Sequence, residues 1–170
     1  MVGLPSTRDV QRRVRGGVER VAASPAGSWY IINVSSKLDP WILKRTDGRL
    51  SAMPGVPVLL LQHTGAKTGK VRETPLVYFD DGDDIVLIAS KGGAPEHPMW
   101  YGNLLANPEC SLIVKGRSGR YYAREATGAR RTRLWAKALE VYSGYEVYQR
   151  RAGGRRVPVM VLSPVSAGSP

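Results

Sequence analysis

One cysteine, Cys110, and two histidines, His63 and His97, are all that the 170 residues contain of those two types. A single cysteine inside the apolar run CSLIV excludes a disulfide within the chain and a cysteine-based metal cluster, and it favours a reducing compartment. With two histidines, no nucleophile elbow and no histidine or carboxylate spacing suited to a metal, hydrolysis by triad or metal is disfavoured. Both histidines read as ordinary polar residues. No run of about eighteen apolar residues occurs, and the N-terminal stretch MVGLPSTRDVQRRVRGG lacks the apolar segment of a secretory signal. The expectation is a cytoplasmic protein, or one peripheral to a membrane.

Acidic residues are also scarce, 14 against 25 Lys and Arg, which leaves a net charge of +11. Residues 1–55 contribute +5, residues 56–129 contribute 0 and residues 130–170 contribute +6. Such a field attracts phosphates, acidic tails, anionic lipid or nucleic acid without choosing among them. Aromatics interleaved with lysines along a strand face are missing, and the basic residues lie mostly outside the strand-rich region, so no nucleic-acid partner is expected.

Val10, Val14, Val18 and Val21 fall on one helical face among Arg12, Arg13, Arg15 and Arg20, a short basic amphipathic helix that suits either packing on its own domain or peripheral membrane contact. A second helical piece is expected over Leu38 to Lys44, ended by TDGRLSAMPG. From Val56 the texture becomes short β-branched and aromatic runs, VPVLLLQHT, VRETPLVYF, DIVLIAS, CSLIV, RYYAREA and VPVMVL, which read as six strands. The links GAKTGK, DDGDD and KGRSGR are hairpin-length, so neighbouring strands are expected to be mainly antiparallel. Two helices interrupt them, one from about Pro98 to before Asn107, the other from about Ala129 to Tyr142 with Leu134, Trp135, Ala138, Leu139 and Tyr142 on one face. The fold class is therefore α+β, a closed or nearly closed six-stranded barrel with flanking helices. The chain divides into an N-terminal helical extension (1–55), the barrel domain (56–164) and a disordered tail (165–170).

Two stretches stand out chemically. HTGAKTGKVRETPL fails as a phosphate loop, because G-x-x-x-x-G-K-[ST] needs glycine at Thr64 and a hydroxyl at Val71, and a strand follows. What survives is a glycine turn with backbone amides and the cations Lys67, Lys70 and Arg72, which suits an anion or a plain basic hairpin equally. SKGGAPEHPMWYGNL puts Lys91 and two glycines behind a strand and opens a helix on Met99, Trp100 and Tyr101. The glycines let the chain turn off the strand, and the helix start adds positive potential. With no protein group suited to the chemistry itself, a cofactor is expected to carry it.

HTGAKTGKVRETPLVY, ASKGGAPEHPMWYGNLLANP and YSGYEVYQ, in this order and spacing, resemble the deazaflavin-dependent nitroreductase and quinone reductase family of actinobacteria. The resemblance covers about Val56 to Pro164. It implies a split β-barrel like those of flavin reductases and pyridoxamine phosphate oxidases, the reduced deazaflavin coenzyme F420 as cofactor, with FMN the alternative, and no metal. It implies hydride transfer to a flat electron-poor acceptor such as a quinone, a nitroaromatic or an enone. A non-catalytic deazaflavin, flavin or haem carrier of the same barrel is the alternative function. Split barrels of this kind occur as monomers or homodimers.

Carried over residue by residue, the resemblance places Ala66, Lys67, Thr68 and Arg72 at the cofactor's phosphate and acidic tail. It lines the ring with Thr74, Pro75, Leu76 and Val77 and with Ile88, Ala89, Ser90 and Lys91, and closes the site with Met99, Trp100, Tyr101, Gly102 and Asn103. Tyr142, Tyr145 and Tyr148 border the substrate cavity, with Tyr145 also on the cofactor. Ser90 and Tyr145 are the candidate donors to the acceptor oxygen as negative charge develops there.

Overall fold

The computed structural model describes residues 36–53 and 56–165. The basic helix expected at Val10 to Val21 and the tail at 166–170 lie outside the described residues. Six strands carry the fold: β1 (Val58–Thr64), β2 (Val71–Asp81), β3 (Asp84–Ile88), β4 (Glu109–Ile113), β5 (Gly119–Glu125) and β6 (Val159–Pro164). Four α-helices accompany them among the described residues: α1 (Ser36–Thr46), α2 (Met99–Ala106), α3 (Gly128–Val141) and α4 (Gly144–Arg151). Among the described residues a 3-10 turn spans Lys91–Gly93.

The strands close into a barrel in the order β1-β2-β3-β6-β5-β4, and each pairing between neighbours is antiparallel. The reason lies in side-chain alternation, since successive residues of a strand point to opposite faces. Leu59, Leu61, Ile85, Leu87, Cys110, Leu112, Tyr121, Ala123, Met160 and Leu162 point inward and fill the interior. Val86, Ile88, Val159 and Val161 point outward and are covered by Leu134 and Ala138 of α3 and by Tyr145 of α4. Val58 and Leu60, also outward, are covered by Leu43 of α1. β1, β3 and the first half of β6 therefore read as nearly unbroken apolar runs, because helices cover their outer faces too, whereas β5 (GRYYARE) keeps a buried–exposed alternation.

The strands and the α2 and α3 helices lie where the sequence places them, within a residue or two. The helix α4 was not anticipated. Ser143-Gly144 reads as a turn, and eight residues with tyrosines at every third place have little helical preference of their own. The helix forms because it is packed: a Cβ at Gly144 would collide with the Tyr142 ring, which folds back over the first turn.

The registers also fix which segments share an end of the barrel. His63 pairs with both Arg72 and Cys110, Ile88 pairs with Val159, and Glu125 pairs with Met160. The β1–β2 turn, the segment after β3, the start of β4 and the end of β5 therefore gather at one end, here termed the mouth. The mouth is plugged by α2, whose Trp100 and Leu104 are buried in the interior cluster.

Helix α1 is anchored by two buried contacts beside the ion pair of Lys44 with Glu73 at 2.6 Å. The buried Asp39 carboxylate accepts the Ala52 N–H at 2.6 Å, and fully buried Leu43 packs on Val58 and Leu60. Leu43→Ala is expected to destabilise the fold by about 2–5 kcal/mol in chemical denaturation. A change within about 0.5 kcal/mol, as for an exposed position, would show that α1 is not part of the cooperative unit.

Candidate active site

The β1–β2 turn is drawn tight by its own backbone. Gly65 N–H donates to Lys70 O at 2.9 Å, Gly69 N–H to Gly65 O at 2.8 Å, and Gly69 adopts φ +64°. Lys67, Lys70 and Arg72 are exposed on or beside this turn and form no ion pair with the described residues. The opposite end of the barrel is different. There the β2–β3 turn takes up the cations of α3: Arg133 lies 2.8 Å from Asp81, Arg130 lies 2.5 Å from Asp84, and Lys137 donates to Asp80 O at 2.6 Å. Arg117 pairs with Asp80 as well. The acidic DDGDD segment thus acts as a partner for neighbouring helix charges, and the mouth keeps uncompensated positive charge.

Asn103 joins α2 to that turn. Its Oδ1 accepts the Ala66 N–H at 2.9 Å, and its Nδ2 lies 3.1 Å from Nδ1 of His63. One turn later Asn107 Nδ2 approaches Thr64 O at 3.5 Å. His63 is buried, and its Nε2 meets Thr74 Oγ1 at 3.1 Å. Burial, with a further push from Arg72, lowers its pKa below the ordinary value.

The rim between β3 and α2 is strained and tightly held. Lys91, Gly92 and Gly93 have φ values of +50°, +64° and +86° in succession. Left-handed backbone is costly for lysine and free for glycine. Gly93 is packed against α4, since a Cβ there would come within 2.8 Å of Arg151 Cβ and 2.9 Å of Tyr148 O. Arg155, from the loop after α4, holds the rim from the other side. Its guanidinium donates to Ala89 O (3.2 Å), Ser90 O (2.9 Å) and Ala94 O (2.8 Å). The same group reaches His97 Nδ1 at 3.2 Å. The His97 ring stacks on Tyr101, whose hydroxyl donates to Glu125 at 2.7 Å. Burial and that carboxylate push the Tyr101 pKa up to about 12. Lys91 itself pairs with Glu96 at 3.2 Å on the surface.

The tyrosines form a separate group. Tyr142 and Tyr148 meet hydroxyl to hydroxyl at 3.2 Å, and Tyr145 sits edge-on to both rings at 5.2 and 6.3 Å. Tyr145 is buried against Phe79, Val86 and Ile88, and burial raises its pKa well above the ordinary phenol value. This cluster lies outside the barrel wall. It adjoins the mouth at the rim, where the Tyr148 backbone packs against Gly93.

The residues singled out from sequence therefore fall into distinct places. Ala66, Lys67, Thr68, Arg72, Thr74 and Asn103 are brought together at the mouth by the β1–β2 hairpin and α2. Ala89, Ser90 and Lys91 run along the rim, with Met99, Tyr101 and Gly102 beside them on α2. Trp100 lies beneath, in the interior core. On β2 the alternation separates neighbours: Thr74 and Leu76 sit opposite Leu61 and Leu59 on the inner face, whereas Pro75 and Val77 face outward with Leu60 and Val58. Ile88 likewise faces the tyrosine cluster while Ala89 faces the interior. Among the described residues no group of three or more His, Cys, Asp or Glu is arranged to hold a metal. His63 and Arg155 escaped sequence reasoning. His63 opens the HTGAKTGK stretch but nothing in that stretch marks its role, Arg155 belongs to no motif, and their partners come from other elements of the fold.

Comparison with known proteins agrees with this geometry. The model of the family described as F420H(2)-dependent quinone reductase matches residues 35–164. The F420H(2)-dependent quinone reductase Rv1261c of Mycobacterium tuberculosis is 39% identical over 132 residues, 75% of this chain and 88% of that protein. A solved F420-H2 dependent reductase, FDR-A, is 38% identical with a TM-score of 0.58, covering 63% of this chain and 94% of its own. A further structure, solved as a domain-swapped dimer, is 34% identical with a TM-score of 0.60 and covers 73% of this chain and 98% of its own.

The rim geometry makes Gly93 irreplaceable. Gly93→Ala must relieve both a left-handed φ and a collision with the α4 backbone, so a loss of about 2–4 kcal/mol is expected in thermal or denaturant unfolding. Gly92→Ala, at a similar φ but with open space around it, is expected to cost only about 1 kcal/mol. Equal effects of the two would show that α4 does not bear on the rim.

Proposed function

The chain belongs to the F420H(2)-dependent quinone reductase family, an enzyme family that uses coenzyme F420, and within it we propose a specific division of labour among the residues of the mouth and rim. The observation that carries the proposal is the uncompensated cluster of Lys67, Lys70 and Arg72 on a turn whose position is fixed by Asn103. Cations and a glycine-rich turn are the donor set that a phosphate and an acidic tail require, so the residues present suit the coenzyme.

Lys67 and Arg72, with the Thr68 hydroxyl, bind the anionic tail beside Ala66, whose own N–H is held by Asn103 Oδ1. Thr74, Pro75, Leu76 and Val77 of β2 stay half-buried and line the ring, while Ala89 and Trp100 support them from the packed core beneath. The reduced coenzyme supplies a hydride when bound. The protein's part is to orient the acceptor, exclude water and stabilise the charge that builds on the acceptor oxygen. Ser90 on the rim and the Tyr145 hydroxyl are the donors for that oxygen. A phenol with a raised pKa remains protonated and able to donate across neutral pH. Tyr142 and Tyr148 border the acceptor and give it aromatic faces for stacking. The acceptor class is a flat, electron-poor molecule, with quinones first, then nitroaromatics and enones.

A homodimer is the assembly favoured for this chain by its likeness to the domain-swapped structure. None of the helices among the described residues is long and apolar enough to cross a membrane. Peripheral contact would fall to the basic segment before residue 36.

The direct test supplies reduced F420 and menadione and follows the return of the oxidised coenzyme's absorbance. Turnover supports the reading, and coenzyme binding without turnover would make the protein a carrier. Lys67→Ala and Arg72→Ala are each expected to weaken coenzyme binding by about 1.5–3 kcal/mol in calorimetry, the worth of a charge-assisted hydrogen bond. Turnover at saturating coenzyme should largely recover. Unchanged affinity with collapsed turnover would move both residues away from the tail.

A further inference from the structure

His63 is 3% exposed on the inner face of β1, and both of its ring nitrogens have partners. The direction of each hydrogen bond follows from the far end of the chain of contacts. The Ala66 N–H can only donate, so the Asn103 atom that meets it is the carbonyl oxygen, and the amide NH2 is turned toward His63. An NH2 group offers no acceptor, which makes Nδ1 the unprotonated nitrogen and puts the ring proton on Nε2. That proton is donated to Thr74 Oγ1, and the threonine keeps its own hydroxyl proton for another acceptor. All bonds point one way, from the turn amide through Asn103 and His63 to Thr74.

We propose that His63, together with Asn103, is a positioning residue that locks the β1–β2 turn in place and presents the Thr74 hydroxyl as a hydrogen-bond donor to the ligand at the mouth. The proposal rests on the reading of the mouth as the coenzyme site. It requires a neutral imidazole, since a proton on Nδ1 would set two donors face to face and break the link to Ala66. The surroundings keep the ring neutral. From β2 the Arg72 guanidinium faces it, from β4 the Cys110 thiol, itself pushed up to about 12 by burial, and from α2 the uncharged Asn103 amide. Burial first and Arg72 second lower the His63 pKa from 6.5. The contribution to stability is thus complete above 6.5 and is lost as pH falls from there through the folded-state pKa.

Histidine nitrogen NMR on the full chain tests this directly, because in the His97→Gln variant His63 is the only histidine ring left. The expected result is an Nε2–H tautomer at His63 with a titration midpoint below 6.5, and an Ala66 amide proton whose shift follows the same midpoint. An Nδ1–H tautomer, a midpoint at or above 6.5, or an Ala66 amide indifferent to it would overturn the proposal. Asn103→Asp sets a carboxylate oxygen against Nδ1 and should raise the midpoint by about one pH unit or more, tenfold in proton affinity. An unmoved midpoint counts against the link. Coenzyme affinity of the wild type should fall along the His63 titration, and His63→Gln, which cannot titrate, should show no such limb. A wild-type affinity flat through that midpoint refutes the presentation of Thr74 to the ligand. The NMR readings need no coenzyme, so failure to bind F420 at every pH would instead count against the coenzyme site.

Discussion

The β1–β4 ladder, running from Leu60↔Ile113 to His63↔Cys110, closes the sheet on itself, and the remaining features depend on that closure. A closed sheet has no free edges, so loops can gather only at its two ends. It also leaves an interior that must be filled and sealed. The strands supply most of the filling, and α2 supplies the seal with Trp100 and Leu104. Because α2 has to lie across one end, its polar face is brought against the β1–β2 turn. Asn103 and Asn107 then become structural joints between segments some forty residues apart.

Electrostatics divides the two ends. A basic chain of this size repels itself unless its charges are paired or spread, and here the pairing is local. Asp80, Asp81 and Asp84 at the closed end take up Arg117, Arg130, Arg133 and Lys137. The cations of the turn at the mouth form no ion pair among the described residues, since nearby Glu73 and Glu109 are taken by Lys44 and Arg120. An anionic ligand therefore meets its complement at one end only, beside the strained rim of Lys91, Gly92 and Gly93. The rim keeps its shape because Arg155 gathers three of its carbonyl groups and α4 presses on Gly93. A half-buried arginine-to-carbonyl cluster of this kind substitutes for the regular ladder that the rim lacks.

The strands are legible without a structure, since runs such as VLLLQHT and DIVLI carry enough β-branched and apolar residues to be read without a partner. The hairpin turns are legible through their glycines, and the family through three motifs whose order and spacing agree. Barrel closure chose which neighbours in sequence part company, as Thr74 and Leu76 do from Pro75 and Val77. Period-two alternation was visible, but on strands covered on both faces nothing local says which face is inside. The helix α4 was hidden for a related reason: its stability comes from the packing of Tyr142, Tyr145 and Tyr148 on the barrel wall, and a short helix has little stability of its own to advertise. His63 and Arg155 were silent because a lone histidine and a lone arginine acquire direction only from the carbonyl and amide groups that folding places around them. A hydrogen bond between residues forty or sixty-five positions apart leaves no periodicity in the chain, so composition could supply the donors while topology alone chose their acceptors.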